Sequence, residues 1–293
     1  MKLYAPKYYK NFTCIADKCE HSCCIGWEID IDGKTLKKYE SLKSGYGNAI
    51  SASICKDGTP HFRLCAGDRC PHLDENGLCK IILNEGEDYL CDICREHPRF
   101  YNYTKVAEVG LGMSCPAAAR VILSSSDFDA LEEIGELDAR EDQIAFDGRG
   151  KRAEVYEILR SHKEYGAALE SIYEAFSIGP ATDEYYLEIL DSIEYLDATH
   201  KGLFMEYSSA LRPSGMDEYL KRFFAYLVYR HCTEALDDED FCERLAFCLF
   251  LERLFASLLC IVDAKTENAI ALCAAMISEE IEYCEDNTFA LMY

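Results

Sequence analysis

The chain has 293 residues, of which 49% are apolar and 28% are charged, with only 7 prolines. This composition supports one large globular domain or two ordinary ones and excludes a disordered or collagen-like chain. The net charge of −23 argues against a general nucleic-acid binder and against docking on an anionic membrane.

Cysteine content and charge change at the same place along the chain. Residues 1–120 hold 11 of the 17 cysteines and equal numbers of basic and acidic residues, 16 of each. Residues 121–293 hold 14 basic and 37 acidic residues. We predict a cysteine-rich metal-binding region over 1–123, an acidic connector over 124–150 and a helical region over 151–293. The predicted fold class is mainly α, with short strands in an irregular N-terminal region followed by an α-helical C-terminal region.

The sequence also indicates the compartment. The first residues lack the apolar core and the small-residue cleavage site of a secretory signal. The longest apolar run, Leu245–Val262, contains Glu252 and Arg253 near its middle and predicts a buried helix rather than a membrane span. We expect a cytoplasmic protein whose reduced thiols are core residues, metal ligands or catalysts.

The first region is rich in turn signals such as Asn76-Gly77, and residues 27–31 alternate between apolar and acidic side chains, which predicts a short strand. Such a region buries little apolar surface for its length. Intracellular proteins of this kind usually gain the missing cohesion from bound metal.

The cysteines of the first region are spaced as metal ligands are. Four thiols fall within eleven residues and five more follow in patterned positions. Short loops between thiols cost little entropy when they close around one ion or cluster. The patterned thiols are Cys14, Cys19, Cys23, Cys24, Cys70, Cys79, Cys91, Cys94 and Cys115.

Two kinds of metal site remain open on spacing alone. Zinc sites usually show paired C-x2-4-C knuckles, often with histidine, and His21, His61, His72 and His97 keep zinc open. The x4 and x3 gaps and the adjacent cysteine pair are not a standard zinc knuckle, whereas iron–sulfur sites accept more varied spacings. We interpret the four histidines as ordinary surface or hydrogen-bonding residues.

The second region carries apolar residues at helical spacing over 184–196, 216–231, 241–262 and 266–284. Thr182 is the predicted N-cap of the first of these helices. The six cysteines of this region lie among apolar residues and are predicted to pack in the core.

Motifs for other chemistry are sparse in the sequence. It contains no GxxxxGK[ST], GxSxG or HExxH motif. Gly110-Leu111-Gly112 is only a fragment of a dinucleotide-binding fingerprint and does not support a Rossmann-type site.

Three stretches of the chain resemble the flagellin lysine-N-methylase family. They are YAPKYYKNFTCIADKCEHSCCIGWEIDID, RCPHLDENGLCKIILNEGEDYLCDICREHPRFYN and VGLGMSCPAAARVIL. The first part of that family belongs to the broader CxxCxxCC group of zinc- or iron-chelating domains. The resemblance covers residues 4–123 and extends less specifically to residues 216–262.

The resemblance implies transfer of methyl groups from S-adenosylmethionine to lysine ε-amino groups of flagellin or another lysine-bearing protein. It implies an iron–sulfur centre, with a 4Fe-4S cluster favoured and zinc as the alternative, held by the nine patterned thiols. Cys55 and Cys65 fall outside the pattern. The catalytic residues and the S-adenosylmethionine site stay unassigned, and neither nucleic acid nor membrane is an expected partner. The alternative hypothesis is a non-catalytic protein that chelates, carries or senses iron or zinc.

Overall fold

The computed structural model describes residues 1–139, 144–179 and 181–293. In chain order the strands are β1 (Lys2–Pro6), β2 (Ile54–Cys55), β3 (His61–Phe62), β4 (Arg99–Tyr103), β5 (Ala107–Leu111) and β6 (Leu131–Glu136). The helices are α1 (Gly33–Ser41), α2 (Gly45–Ser53), α3 (Lys80–Glu85), α4 (Asp92–Glu96), α5 (Pro116–Ser124), α6 (Arg149–Ser161), α7 (Tyr165–Ala175), α8 (Asp183–Ser192), α9 (Ala198–Phe204), α10 (Asp217–His231), α11 (Asp238–Ile261), α12 (Glu267–Ile277) and α13 (Glu285–Met292). The mainly α fold class is confirmed.

The chain forms two compact units. Thr13–Pro98 is the cysteine-rich unit, and Met1–Phe12 together with Arg99–Tyr293 is the helical unit. These boundaries differ from the predicted ones, because the two segments that flank the cysteine-rich unit pair in one sheet. The predicted connector, 124–150, contributes β6 to that sheet and the start of α6, and its residues 140–143 lie outside the described residues.

A four-stranded sheet in the order β4-β5-β1-β6 joins the two segments of the helical unit. Strand β1 runs parallel to β5 and antiparallel to β6, with Leu3 opposite Ala107 and Pro6 opposite Leu131. All five residues of β5 are buried. Strands β4 and β6 are the edges of this sheet.

A buried ion pair ties β5 to α6. The Arg152 guanidinium donates to both carboxylate oxygens of Glu108, at 2.6 and 2.7 Å, and also to the Thr233 hydroxyl at 2.5 Å. It lies over the Tyr229 ring, 5.0 Å from its centroid. Both partners are at most 5% exposed, so each charge depends on the other for compensation.

The core of the helical unit is built around α10 and α11, which pack against each other. Helix α11 is buried along most of its length, as the apolar run predicts. Glu252, which interrupts that run, is fully buried and accepts a 2.5 Å hydrogen bond from Arg212. Cys248 and Cys273 are buried among apolar side chains, in agreement with the predicted core role.

The four predicted helices of the second region are present as α8, α10, α11 and α12. Thr182 caps α8 by accepting a hydrogen bond from the Tyr185 backbone N–H at 3.3 Å. The helix predicted over 266–284 instead ends at Ile277 and continues as a π-helical turn, Ser278–Glu282. That turn directs the Glu282 carboxylate to His231 of α10.

The cysteine-rich unit has a small core of its own. Ile29 and Ile31, from the segment predicted as a strand, are buried in it with Tyr39 and Phe62. The segment is extended but is held by isolated bridges rather than by a ladder, for example between Asp30 and His61. Every helix in the described part of the chain is too short or too polar to cross a membrane.

Candidate functional site

Five of the nine predicted metal ligands lie together in the cysteine-rich unit. Cys70 and Cys91 are buried in its core, and Cys24, Cys79 and Cys94 pack against the same cluster. The sequence pattern therefore brings thiols from three separate segments into one place.

One carboxylate positions the Cys91–Cys94 pair. Asp32 caps α1 by accepting from the Thr35 backbone N–H at 2.9 Å, and its other oxygen accepts from the Asp92 backbone N–H at 2.9 Å. This second bond fixes the start of α4 directly beside Cys91, the N-cap residue. The Cys91 and Cys94 sulfurs then lie 3.4 Å apart, within hydrogen-bonding distance.

Backbone bonds place the remaining three thiols. The Cys70 backbone N–H donates to the Cys24 carbonyl at 2.8 Å, which joins the first cysteine segment to the second. A tight turn then folds the chain back so that Leu73 and Cys79 form a bridge. Gly77 adopts a φ of 79° in that turn, a conformation that glycine reaches at no steric cost.

The turn is closed by the Asp74 carboxylate, which accepts from the backbone N–H groups of Asn76 and Leu78, both at 2.8 Å. These bonds lower the pKa of Asp74. The turn predicted at Asn76-Gly77 is thus present and places Cys79 beside the other thiols of the cluster.

The pKa values of the thiols differ sharply within the cluster. A hydrogen bond from Cys23 is the largest effect on Cys24, and with Ser22 and Arg69 it lowers the pKa of Cys24 to about 7 against the opposing effect of burial. Burial raises the pKa of Cys70 to about 12, and the nearby Cys79 thiol adds to this. At neutral pH Cys24 is therefore substantially a thiolate, the form that binds metal.

A hydrogen bond couples the titration of the Cys91 and Cys94 thiols. The hydrogen bond between them lowers the pKa of Cys91 and raises that of Cys94. Charge on Cys24 and Cys70 also raises the pKa of Cys94, as expected for like charges close together. A cation within the cluster would relieve this repulsion.

The other four predicted ligands are placed differently. Cys14, Cys19 and Cys23 lie in a largely exposed, irregular segment of the cysteine-rich unit, although Cys23 also forms a hydrogen bond with Cys24 of the cluster. Cys19 donates to the His21 carbonyl at 2.7 Å. Cys115 belongs to the helical unit, where it is the N-cap residue of α5 and packs against the core.

His72 is a hydrogen-bonding residue in the same unit as the thiol cluster. Its ring nitrogens contact the hydroxyl groups of Tyr46 at 2.8 Å and Ser53 at 2.9 Å. Burial lowers the pKa of His72 to about 4, so the ring is neutral at physiological pH. Both ring nitrogens already have partners, and this argues against a role in metal binding.

The distances between the sulfur atoms of the thiol cluster can be compared with those expected around a single metal ion. Within the described residues, one group of at least three possible ligand atoms has all its atoms within 4.8 Å of one another. These atoms belong to Glu28, Asp30 and His61. Four sulfurs around a zinc ion lie about 3.8 Å apart, given a Zn–S distance of about 2.3 Å and tetrahedral geometry. As a set, the five thiols are therefore more widely spread than ligands of a single zinc ion, although the Cys91 and Cys94 sulfurs lie only 3.4 Å apart.

Sequence reasoning did not identify a cavity of about 410 Å³ in the helical unit. Strand β4 and helices α10, α11 and α13 contribute its walls. Its lining residues are Phe100, Asn102, Arg230, His231, Glu234, Arg244, Glu282, Glu285, Thr288, Phe289, Met292 and Tyr293.

A buried polar network forms the floor of this cavity. The Glu282 carboxylate lies 2.6 Å from His231 Nε2 and 3.3 Å from Arg230 Nε, and accepts from the Tyr226 hydroxyl at 2.9 Å. Burial opposes its ionisation, but Arg230, His231 and Ser278 lower the pKa of Glu282 to about 2. Burial also lowers the pKa of His231.

Because Gly112 has no side chain, it leaves space for the polar network at the floor of the cavity. A Cβ atom at this position would collide with the Tyr283 hydroxyl and the Arg230 guanidinium. Arg230 is held between two aromatic rings, 5.0 Å from the Phe100 centroid and 4.8 Å from the Tyr283 centroid. Gly112 thus allows the close packing of Arg230 and Tyr283 at this floor.

Comparison with known proteins decides the family. The chain is 30% identical over 136 residues to flagellar biosynthetic protein FliU of Salmonella muenchen, an alignment that covers 44% of this chain and 80% of FliU. It is also 30% identical over 136 residues to the lysine-N-methylases of Salmonella choleraesuis and Salmonella typhimurium. The chain belongs to the flagellin lysine-N-methylase family. The family resemblance seen in the sequence is thereby confirmed.

The match to the lysine-N-methylases is partial. It covers 44% of this chain and 34% of each of those proteins, so the chain spans about a third of their length. No protein-family model matches the chain. No solved structure matches it either.

Proposed function

We propose that the chain is an S-adenosylmethionine-dependent protein-lysine N-methyltransferase that acts on flagellin and carries an iron–sulfur centre in its cysteine-rich unit. The observation that carries the proposal is the similarity to FliU and to the two lysine-N-methylases. The first name refers to flagellar biosynthesis and the second to methylation of lysine.

The thiol cluster supports the metal centre. Five thiols from three segments meet in the core of a unit with few long helices, and one of them has a pKa lowered to about 7. This donor set fits iron–sulfur ligation by cysteine thiolates. The candidate ligands are Cys24, Cys70, Cys79, Cys91 and Cys94.

The spacing of the thiols is mixed, because the Cys91 and Cys94 sulfurs lie 3.4 Å apart, close to the separation of ligands around a zinc ion. Within the described residues, no three of these sulfurs all lie within the 4.8 Å that a single ion would allow. A cubane of four irons and four sulfides is larger than one ion and suits more widely separated thiolates. A bound cluster would cross-link the irregular segments, so that binding free energy becomes folding free energy.

The proposed reaction places few chemical demands on the protein. The lysine ammonium loses a proton to solvent, its nitrogen forms a bond to the methyl carbon, and the carbon–sulfur bond breaks. The electron pair stays on sulfur, which yields S-adenosylhomocysteine. Orientation of the two reactants and exclusion of water provide most of the acceleration in such transfers.

The test is to purify the full chain anaerobically, measure iron, acid-labile sulfide and zinc, and titrate S-adenosylmethionine by calorimetry. We expect iron and sulfide in stoichiometric amounts and saturable binding of S-adenosylmethionine. Stoichiometric zinc without sulfide would replace the cluster by a zinc site. A metal-loaded protein that does not bind S-adenosylmethionine would favour the alternative, a non-catalytic metal-binding protein.

A further inference from the structure

The cysteine-rich unit also holds a group of three possible metal ligands that contains no thiol: Glu28, Asp30 and His61. Glu28 and Asp30 are two residues apart in the extended segment over residues 27–31. Side chains at this spacing point to the same face of an extended chain. The alternate residues, Ile29 and Ile31, are buried in the core of the unit, so both carboxylates lie on the solvent side of the segment.

Strand β3 provides the third side chain of the group. His61 forms an antiparallel bridge with Asp30, and backbone hydrogen bonds of 2.7 and 3.0 Å between the neighbouring residues flank that bridge. Facing side chains are closest in pairs of this kind, where the backbone bonds belong to the neighbours. His61 therefore faces the two carboxylates directly.

The distances within the group fit the ligands of one ion. The three ligand atoms all lie within 4.8 Å of one another, and His61 Nε2 lies 3.3 Å from Glu28 Oε2. Two ligands that each lie about 2.1 Å from a zinc ion, at the tetrahedral angle, are about 3.4 Å apart. The nitrogen and the oxygen thus already have the separation that a shared metal ion requires.

The His61 ring is oriented from outside the group. Its Nδ1 lies 2.8 Å from the Thr59 carbonyl oxygen. A carbonyl oxygen only accepts hydrogen bonds, so Nδ1 carries the proton and the neutral ring has its lone pair on Nε2, the atom near Glu28. Metal-binding histidines are usually held in this way, by a hydrogen bond from the ring nitrogen that does not bind the ion.

The charge of the group favours a divalent cation. Among the described residues, no lysine or arginine forms an ion pair with Glu28 or Asp30. Carboxylates close together repel each other, and a cation between them removes that repulsion. Carboxylates suit Mn²⁺, and imidazole suits Fe²⁺ and Zn²⁺, so this mixed donor set matches first-row transition metals better than Ca²⁺ or Mg²⁺.

We propose that Glu28, Asp30 and His61 bind one divalent first-row transition-metal ion at a site separate from the thiol cluster. The ion ties residues 27–31 to β3, where the structure forms an isolated bridge, and so stabilises the cysteine-rich unit. Water fills the remaining coordination positions, because both carboxylates are exposed. The inference goes beyond the proposed function and does not depend on it.

Manganese is the probe for this site, because Mn²⁺ prefers carboxylate and imidazole ligands to the thiolates of the cluster. The full chain, purified anaerobically, is titrated with Mn²⁺ while electron paramagnetic resonance measures the free ion. Salt at about 0.15 M limits unspecific attraction to the acidic surface. We expect one saturable Mn²⁺ site per chain, and electron spin-echo modulation from an imidazole nitrogen coupled to the bound ion.

Three variants locate the site. Asp30→Asn and His61→Gln should each weaken Mn²⁺ binding about ten- to a hundredfold, a range that holds even for residues that only orient ligands. His61→Gln should also remove the nitrogen coupling. Glu75→Gln, which changes an exposed carboxylate of the same unit, is the matched control and should bind as the wild type does. Circular dichroism and iron content check that the variants fold.

Hydrogen-exchange mass spectrometry tests the cross-link, and we expect exchange over residues 27–31 to slow when Mn²⁺ is bound. Binding without slower exchange would overturn the cross-linking role. An absence of saturable binding, equal binding in Asp30→Asn, or a bound ion without nitrogen coupling would overturn the site and leave Glu28 and His61 as an ordinary ion pair. None of these results bears on methyl transfer or on the thiol cluster, so the proposed function is tested separately.

Discussion

The buried Glu282 carboxylate should control both the stability of the helical unit and its response to acid. Glu282 holds together Arg230, His231 and Tyr226 at the floor of the cavity. Replacing it by glutamine removes the negative charge but keeps the shape of the side chain. The Arg230 guanidinium, which is 12% exposed, then loses its charged partner, which is the costly way to break a buried pair.

The magnitude follows from the pKa of Glu282. Its ordinary value is 4.5 and its value in the folded protein is about 2. At about 1.4 kcal/mol for each pKa unit, the carboxylate contributes about 3 kcal/mol to the free energy of unfolding at neutral pH. Because the folded-state pKa is the lower one, this stability is present above pH 4.5 and is lost as the pH falls through 2. About 2 kcal/mol of it should be gone by pH 3.

Urea unfolding followed by circular dichroism at 222 nm tests this reasoning. We expect Glu282→Gln to lose about 3 kcal/mol at pH 7 and to lose less stability than the wild type between pH 5 and pH 3. Glu243→Gln, an exposed carboxylate of α11, should change stability by less than about 0.5 kcal/mol. A loss below about 1 kcal/mol for Glu282→Gln, or an unchanged acid response, would refute the assigned role.

Three further predictions concern the metal centre, the sheet and the substrate. Cys91→Ser should lose metal on anaerobic analysis, whereas Cys273→Ser should keep its metal and lose about 1–3 kcal/mol of stability in urea. Metal loss in Cys273→Ser but not in Cys91→Ser would contradict the division of the cysteines. Glu108→Gln should lose about 3–5 kcal/mol in the same assay, because Arg152 is left buried without its counter-charge, and a near-neutral result would show that the pair is not needed. The KM for a lysine-rich protein substrate should rise between 0.1 and 1 M salt, because the Debye length shrinks from about 10 to about 3 Å; a salt-independent KM would remove any role of the −23 charge in attracting the substrate.

The sequence predicts much of the helical unit, because its helices are local and amphipathic. The spacing around Leu220 and Ile270 places both residues correctly in the core, and Thr182 caps α8 as predicted. The ending of the last predicted helix at Ile277 was missed. A π-helical turn is stabilised there by hydrogen bonds between Glu282 and distant residues such as His231. The local sequence pattern carries no signal for such long-range bonds.

The sheet and the unit boundaries could not be predicted in the same way. Pairing of β1 with β6 joins Lys2 to Glu136 across most of the first half of the chain. Such contacts depend on which edges meet in three dimensions and leave no periodic signal nearby. The change in composition near residue 120 therefore does not coincide with the edge of a compact unit, which lies at Pro98.

The candidate metal centre was partly visible in the sequence. Cysteine density identified the thiols, but spacing alone did not separate Cys24 from Cys14 and Cys19, which lie in the exposed segment. The cavity was not visible at all. Asn102 and Arg230, two of its lining residues, are 128 positions apart, and each has an ordinary packing role when considered alone.

Transfer of labelled methyl groups from S-adenosylmethionine to flagellin, with the modified residues located by mass spectrometry, tests the central claim most directly. The full chain is used after anaerobic purification, with metal content and S-adenosylmethionine binding measured on the same sample. We predict label on lysine Nε atoms and one S-adenosylhomocysteine for each methyl group transferred. A sample with an intact metal centre that methylates neither flagellin nor any other protein would contradict the account and leave a metal-binding protein in its place.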